Sequence, residues 1–382
     1  MHLSSKQNKI LAPVFAAGVL ALFASTLVFA QAGRDIRREN PQLAALFNAF
    51  DVTHASAYDE IAAILANPST TEARNELAMH FRMMQNMSMS DMMSNMNMGM
   101  SMDMPYGDLE IAARVRLLES MREQHSDNDA AGAWADSDAI NRRTARVLRH
   151  GRAFENRLFA IYVDGDISDK QAAVAEAVAD YLEDDRNAVA SSPKDSSYLL
   201  SHPQGTAFQT SFPGLSGFLW TQQWLQLAAL EAVILEHLDE NFAGGVATAL
   251  ERFWNKIGSD GGMSMFPAPV ELPMAPTIAP NLYSQSPEAA IILDNLNVLE
   301  TLIADTLAYP NMNNREDRID ELVADFTNKA ENLDDSMNYL LFALRGGIYN
   351  QGGPAVGELM QSERNRSRAM MDMQHSMIMS TP

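Results

Sequence analysis

The sequence predicts an all-α fold, a helical bundle or bundles of about eight helices with a methionine-rich flexible loop and tail. Apolar residues recur at helical spacing along most of the chain after residue 40. No stretch shows the strict apolar–polar alternation and turn signals of half-buried strands, and no repeat of fixed period is present. These observations favour packed helices over a sheet or a repeat array.

Residues 1–30 have the pattern of a secretory signal peptide. Lys6 and Lys9 precede a long apolar run, and Val28-Phe29-Ala30 offers small residues at the cleavage positions. The run is also long enough to span a bilayer, so an uncleaved N-terminal anchor is the alternative and the one source of membrane contact. We therefore expect a periplasmic or secreted protein.

The remaining chain divides by composition into four parts. We expect an N-terminal helical region at 31–190, a linker or long loop at 191–214, a C-terminal helical region at 215–348 and a tail at 349–382. Pro41 can open the first helix, and Ser69-Thr70-Thr71-Glu72 is a cap-like start for a helix that runs into the methionine-rich tract.

Further helices follow in order. The expected spans are 108–124, 139–162, one capped by Ser168, 215–238, one opened by Pro287, and a helical region at 315–344 that Gly346-Gly347 ends. The 215–238 segment is apolar almost all round, which indicates burial on several sides. Gln222, Gln223 and Gln226 inside it favour a central core helix over a membrane span, because polar groups are costly in lipid.

Composition excludes several classes of protein. The formal net charge of −21 argues against nucleic acid and anionic lipid as partners, since both are negatively charged. Six arginines between residues 142 and 157 favour nucleic-acid binding, but the acidic remainder of the chain opposes it and can itself pair with these arginines. The absence of cysteine excludes disulfides, thiolate metal sites and a cysteine nucleophile.

The stretch Met79–Met104 holds 12 of the 25 methionines. After residue 87 they are spaced too closely for one helix face, and the Ser, Asn, Asp and Gly between them are poor strand formers. Packing therefore does not explain the tract. Its common feature is thioether sulfur, a soft ligand that selects Cu(I) or Ag(I) over hard ions such as Mg²⁺.

A shorter tract, MMDMQHSMIM, lies at 370–379. Its M-D-M-x-H-S-M-x-M segment resembles the methionine motifs of periplasmic copper-resistance proteins and of methionine-rich copper oxidases and transporters. The resemblance covers only the two tracts and implies soft-metal handling. The candidate metal ligands are His80, Met83, Met84, Met87, Met89, Met92, Met93, Met96, Met98, Met100, Met102, Met104, Met370, Met371, Met373, His375, Met377 and Met379.

Histidine patterns narrow the possible sites. No Glu-x-x-His occurs, so a ferritin-like di-iron centre is not expected. His54 near Asp51 and His237 beside Glu236 are better explained by local hydrogen bonds than by metal binding. His80 heads the methionine tract, where it is either a metal ligand or an ordinary surface histidine.

The sequence favours an exported Cu(I)-binding protein that stores, buffers or delivers copper, with a copper-handling protein as a possible partner. Copper is its expected cofactor, and no catalytic motif indicates an enzyme. The alternative is a helical scaffold or accessory subunit of an envelope or secreted complex, in which the methionines form an adaptable apolar contact. A third hypothesis treats them as a sacrificial surface against oxidants.

Overall fold

The computed structural model describes residues 40–86, 104–196, 202, 204–257 and 271–357. The predicted signal peptide, residues 87–103 of the methionine tract and the tail beyond residue 357 lie outside the described residues, and so do the predictions about cleavage and flexibility.

The described residues are mainly α-helical and contain no β-strand, which confirms the all-α prediction. Their helices are, in chain order, α1 (Pro41–Ala66), α2 (Thr71–Asn86), α3 (Gly107–Arg122), α4 (Asp127–Asp136), α5 (Arg142–Val163), α6 (Lys170–Glu183), α7 (Ala207–Ser211), α8 (Pro213–Leu238), α9 (Gly245–Ile257), α10 (Ala275–Ile278), α11 (Pro280–Gln285), α12 (Pro287–Ala308), α13 (Arg315–Thr327), α14 (Ser336–Ala343) and α15 (Gly347–Asn350). The expected number of about eight helices is therefore wrong: these ranges contain 15.

Four long helices form the centre of the fold. α1 and α5 each pack against both α8 and α12. The outer faces are covered by α3 and α4 on α1, α6 on α5, α9 on α8 and α13 on α12. Helix α5 illustrates how a long helix packs into this centre: Val147, Phe154 and Leu158 recur at helical spacing on one face, and all three are buried. The hydrophobic core draws on residues from Leu43 to Val356.

Helix α8 is buried along most of its length. Every residue from Gly214 to Ile234 is buried, which confirms the prediction of a central core helix. Within the described residues, no helix combines the length and apolarity that crossing a bilayer requires.

Buried carboxylates bind the N-termini of helices that start without a side-chain cap of their own. Glu110 on α3 accepts hydrogen bonds from the N–H groups of Gly214 (2.7 Å) and Leu215 (2.9 Å) at the start of α8. Asp305, Asp294 and Glu231 do the same at α7, α10 and α11, through the N–H groups of Phe208, Ala275 and Asn281. First-turn N–H groups have no partner within their own helix, so these carboxylates satisfy them. The sequence does not predict the short helices α7, α10 and α11, whose N-termini are bound by carboxylates from distant parts of the chain.

Candidate functional site

The last turns of α2 present sulfur and imidazole groups on the protein surface. Leu77, Ala78 and Phe81 anchor this part of α2 in the core. The Phe81 ring stacks on Tyr309 with the ring centroids 5.2 Å apart. Because one face of an amphipathic helix is buried, the residues between these anchors point outward.

The outward residues are Met79, His80, Met83 and Met84, which we call the α2 donor face. Met79 and Met83 are 58% and 57% exposed, and Met84 is 38% exposed. By comparison, Met121 and Met274 are only 2% and 4% exposed. Burial of a flexible apolar side chain is what makes methionine useful in a core. The exposed methionines of α2 do not contribute in that way.

The spacing on α2 brings these donors together. Met79 and Met83 are four residues apart, and His80 is three residues from Met83 and four from Met84. Side chains at these separations are neighbours on a helix surface, with about 5–6 Å between their Cβ atoms. Partial burial lowers the pKa of His80, which keeps its ring neutral near pH 7. A neutral imidazole has a lone pair available for a metal ion.

The structure places four of the predicted ligands. His80, Met83 and Met84 lie together on α2. Met104 lies elsewhere: it is half-buried just before α3, and its terminal methyl group packs close to Gly214 at the start of α8. The predicted ligands Met87, Met89, Met92, Met93, Met96, Met98, Met100, Met102, Met370, Met371, Met373, His375, Met377 and Met379 lie outside the described residues.

A second polar feature lies in the centre of the four-helix bundle, and sequence reasoning missed it. The buried charge cluster consists of Asp51 and His54 on α1, Arg152 and Glu155 on α5, and Glu300 on α12, with Gln222, Gln223 and Gln226 of α8 beside them. All three carboxylates are at most 7% exposed. Buried ions require partners, so the contacts of this cluster decide what it can do.

Arg152 is the centre of the cluster. Its Nη1 donates to Glu155 Oε2 (2.7 Å), and its Nη2 donates to Glu300 Oε1 (2.8 Å). Its Nε lies 3.4 Å from Asp51 Oδ1, which also accepts a hydrogen bond from Trp134 Nε1 (3.0 Å). One guanidinium therefore connects three carboxylates from three helices.

Burial changes the protonation of these acids. It raises the pKa of Asp51 to about 6 and that of Glu155 to about 7, although Arg152 lowers both. Burial likewise raises the pKa of Glu300. The pKa of His54 is well below its usual range, because burial and then Arg152 disfavour the imidazolium. Burial thus favours the neutral forms of these three acids and of His54.

The glutamine side chains of α8 donate some of the hydrogen bonds in and around the buried charge cluster. Gln226 Nε2 donates to Glu155 Oε2 (3.2 Å), and Gln223 Nε2 donates to the Asn297 carbonyl (3.1 Å). A cavity of about 10 Å³ adjoins Arg152, Glu155, Gln226, Asn297 and Glu300. That volume holds about one water molecule. This cavity is too small for an organic substrate.

Two expectations about histidine can be compared with the structure. His54 Nδ1 lies 3.2 Å from the Phe50 carbonyl, and His237 Nδ1 lies 3.0 Å from the Val233 carbonyl. The prediction of local hydrogen bonds is therefore confirmed, although the partners are backbone carbonyls. Within the described part of the chain, no three His, Asp or Glu side chains are placed to hold a metal ion.

Comparison with known proteins gave no match among protein-family models, curated proteins or solved structures.

Proposed function

We propose that this protein binds Cu(I) through exposed thioethers and stores, buffers or delivers the metal in an exported compartment. The exposure of Met79, Met83 and Met84 on α2, beside His80, carries the proposal. These donors are neutral, so they bind soft ions without losing a proton and attract harder divalent ions weakly. We propose no catalytic activity, and copper is cargo passed to or from a copper-handling partner.

The α2 donor face is the entry to a larger set of donors. The helix ends at Asn86, immediately before residue 87, where the M-x-M spacing begins. A Cu(I) ion takes about three or four soft donors, so the 12 sulfurs of Met79–Met104 suffice for about three or four ions. The α2 donors lie on a helix anchored by the core, so they lose less conformational freedom on binding.

The test is anaerobic Cu(I) titration of the purified mature protein, with Zn(II) as competitor. The first variant combines Met79→Leu, Met83→Leu and Met84→Leu, which keeps apolar volume and deletes sulfur. We expect it to bind about one Cu(I) fewer. The matched control Met274→Leu removes a buried sulfur and should leave the number of ions unchanged. His80→Gln should weaken the tightest site without changing the fold.

A second set of variants addresses the rest of the tracts. Replacing the methionines of residues 87–104 with Leu should remove most of the bound Cu(I), and deleting residues 370–382 should remove a smaller number. Helix content and melting temperature should stay the same in both. Equal Cu(I) binding by wild type and all variants, or none by wild type, would contradict the proposal.

One observation favours the alternative of a scaffold or accessory subunit. Met337, Leu341 and Leu344 are 65%, 67% and 53% exposed. Their spacing puts them on one side of α14 and its C-terminal end. Exposed apolar side chains at helical spacing suit contact with another protein. If the titration fails, this alternative replaces the copper proposal.

A further inference from the structure

The buried charge cluster contains two neighbouring side-chain atoms, His54 Nε2 and Glu300 Oε2, that lie 3.6 Å apart, too far for an ordinary hydrogen bond. His54 Nδ1 lies 3.2 Å from the Phe50 carbonyl oxygen, which can only accept a hydrogen bond. The favourable arrangement therefore has the hydrogen on Nδ1. In a neutral ring, Nε2 then carries a lone pair and no hydrogen.

That lone pair faces other acceptors. Among the described residues, His54 Nε2 makes no hydrogen bond of ordinary geometry, although the Gln222 side chain lies close to the ring. A carboxylate oxygen, Glu300 Oε2, lies 3.6 Å from Nε2. Gln222 Oε1 is also buried and makes no hydrogen bond to any described residue. Two lone-pair atoms that face each other in the protein interior repel, whereas one hydrogen between them makes the contact attractive.

We propose that the folded protein holds a proton between His54 Nε2 and Glu300 Oε2, so that Glu300 is a carboxylic acid at neutral pH. The other carboxyl atom, Oε1, accepts from Arg152 Nη2 at 2.8 Å, which leaves Oε2 to carry the hydrogen. Gln223 Nε2 lies 3.4 Å from Oε2, and a hydroxyl oxygen can accept that contact as well. The hydrogen bond forms when the Glu300 carboxyl moves a few tenths of an ångström toward the ring.

The surrounding charges keep this proton on the carboxyl side of the contact. From α5, Arg152 opposes an imidazolium at His54, and an ionised Glu155 repels an ionised Glu300. From α1, Asp51 adds a further carboxylate, and Tyr58 donates its hydroxyl to the Glu300 carbonyl at 2.8 Å.

The remaining neighbours do not neutralise the cluster. α8 contributes only neutral glutamines, α4 contributes Trp134, and the exposed Arg149 acts on Asp51 from the surface. If all three carboxyl groups were ionised around the one guanidinium of Arg152, the cluster would carry an excess of two negative charges, which a proton on Glu300 reduces.

The proposal has a definite pH dependence. Glu300 keeps its proton in the folded protein, whereas in the unfolded chain a glutamate ionises near pH 4.3. A raised folded-state pKa gives stability that is complete below the unfolded-state pKa and is lost as pH rises through the folded-state pKa. One retained proton makes the unfolding constant rise about tenfold per pH unit between those two values.

The test compares wild type with Glu300→Gln across pH by urea unfolding of the full mature chain. The glutamine amide is neutral and can donate to His54 Nε2, so it imitates the protonated acid. We expect the unfolding constant of Glu300→Gln to rise less steeply with pH than that of wild type. The ratio of the wild-type to the variant unfolding constant should grow about tenfold per pH unit. The control Glu60→Gln changes a half-buried carboxylate paired with Arg116 and should retain the wild-type dependence.

Two spectroscopic measurements on the wild type do not depend on the variant folding. Infrared difference spectra should contain a carboxylic-acid carbonyl band near pH 7 that Glu300→Gln removes. Nitrogen NMR should find His54 neutral with its hydrogen on Nδ1. Unchanged pH dependence in Glu300→Gln, an imidazolium at His54, or one equivalent of tightly bound metal in the purified protein would overturn the proposal.

Discussion

Removing Arg152 should destabilise the protein far more than removing any other arginine of the same helix. Arg152→Met keeps the long apolar stem and deletes the guanidinium that bonds Glu155 and Glu300 and faces Asp51. Removing one partner of a buried ion pair typically costs about 3–5 kcal/mol, because the opposite charge remains buried without compensation. Here three acidic side chains lose the same partner, so we expect a loss in the upper part of that range.

The matched control lies on the same helix. Arg157 pairs with the half-exposed Asp180 at 2.6 Å, near the protein surface. Exposed pairs contribute about 0–1 kcal/mol, so Arg157→Met should change the free energy of unfolding by at most that amount. Urea unfolding followed by circular dichroism measures both, with m-values compared to confirm that the unfolded states match.

The loss in Arg152→Met should also depend on pH. Burial raises the pKa of Asp51 to about 6 and of Glu155 to about 7 while Arg152 lowers both, so its removal raises them further. Acids with raised folded-state pKa values contribute stability at low pH and lose it as pH rises. The deficit should therefore be larger near pH 8 than near pH 5. A deficit no larger than that of Arg157→Met, or one that grows in acid, would refute this account of the cluster.

Two further substitutions test the packing around the cluster. Gly151→Ala would place a Cβ 2.5 Å from Leu296 Cδ2, so it should lower the free energy of unfolding in urea by about 1–3 kcal/mol. The control Gly132→Ala would place its Cβ 3.6 Å from the nearest atom, so it should be neutral or stabilising. Trp134→Phe removes the N–H that donates to Asp51 Oδ1 at 3.0 Å, and we expect a loss of about 1–3 kcal/mol in the same assay. Equal stability of the two glycine variants would argue against a close contact between α5 and α12, and an unchanged Trp134→Phe would argue against a buried hydrogen bond.

The sequence predicts the long helices well and the short ones poorly. Helices such as α5 and α12 repeat apolar residues over several turns, and that periodicity survives without knowledge of the fold. α7, α10 and α11 have at most six residues, too few for a periodic signal. Carboxylates 19 to 97 residues away bind their N-termini, and no local pattern can reveal such contacts.

The candidate sites differ in the same way. The sequence identifies three of the four donor-face residues, His80, Met83 and Met84, because they lie on successive turns of one helix that runs into the methionine tract. Met79 is not among the predicted ligands. The charge cluster draws on four helices, and Arg152 with Glu155 three residues later looks like an ordinary surface pair. The available signal was Gln222, Gln223 and Gln226 within an apolar helix, since buried amides require polar partners from other elements.

The α2 donor face and the buried charge cluster require opposite environments, and helix α12 leads from one to the other. Thioethers exchange a soft ion with the solution or with a partner only when they are accessible, whereas burial away from bulk water favours the proton on Glu300. α12 carries Glu300 inside the bundle, and Tyr309, directly after its last residue, stacks on Phe81 beneath the donor face. Glu300 and Tyr309 are nine positions apart, which corresponds to about 13 Å along a helix and is beyond direct contact. Because thioethers also carry no proton, the core can change its protonation without altering the α2 donors, and copper binding should follow the chemistry of α2 alone.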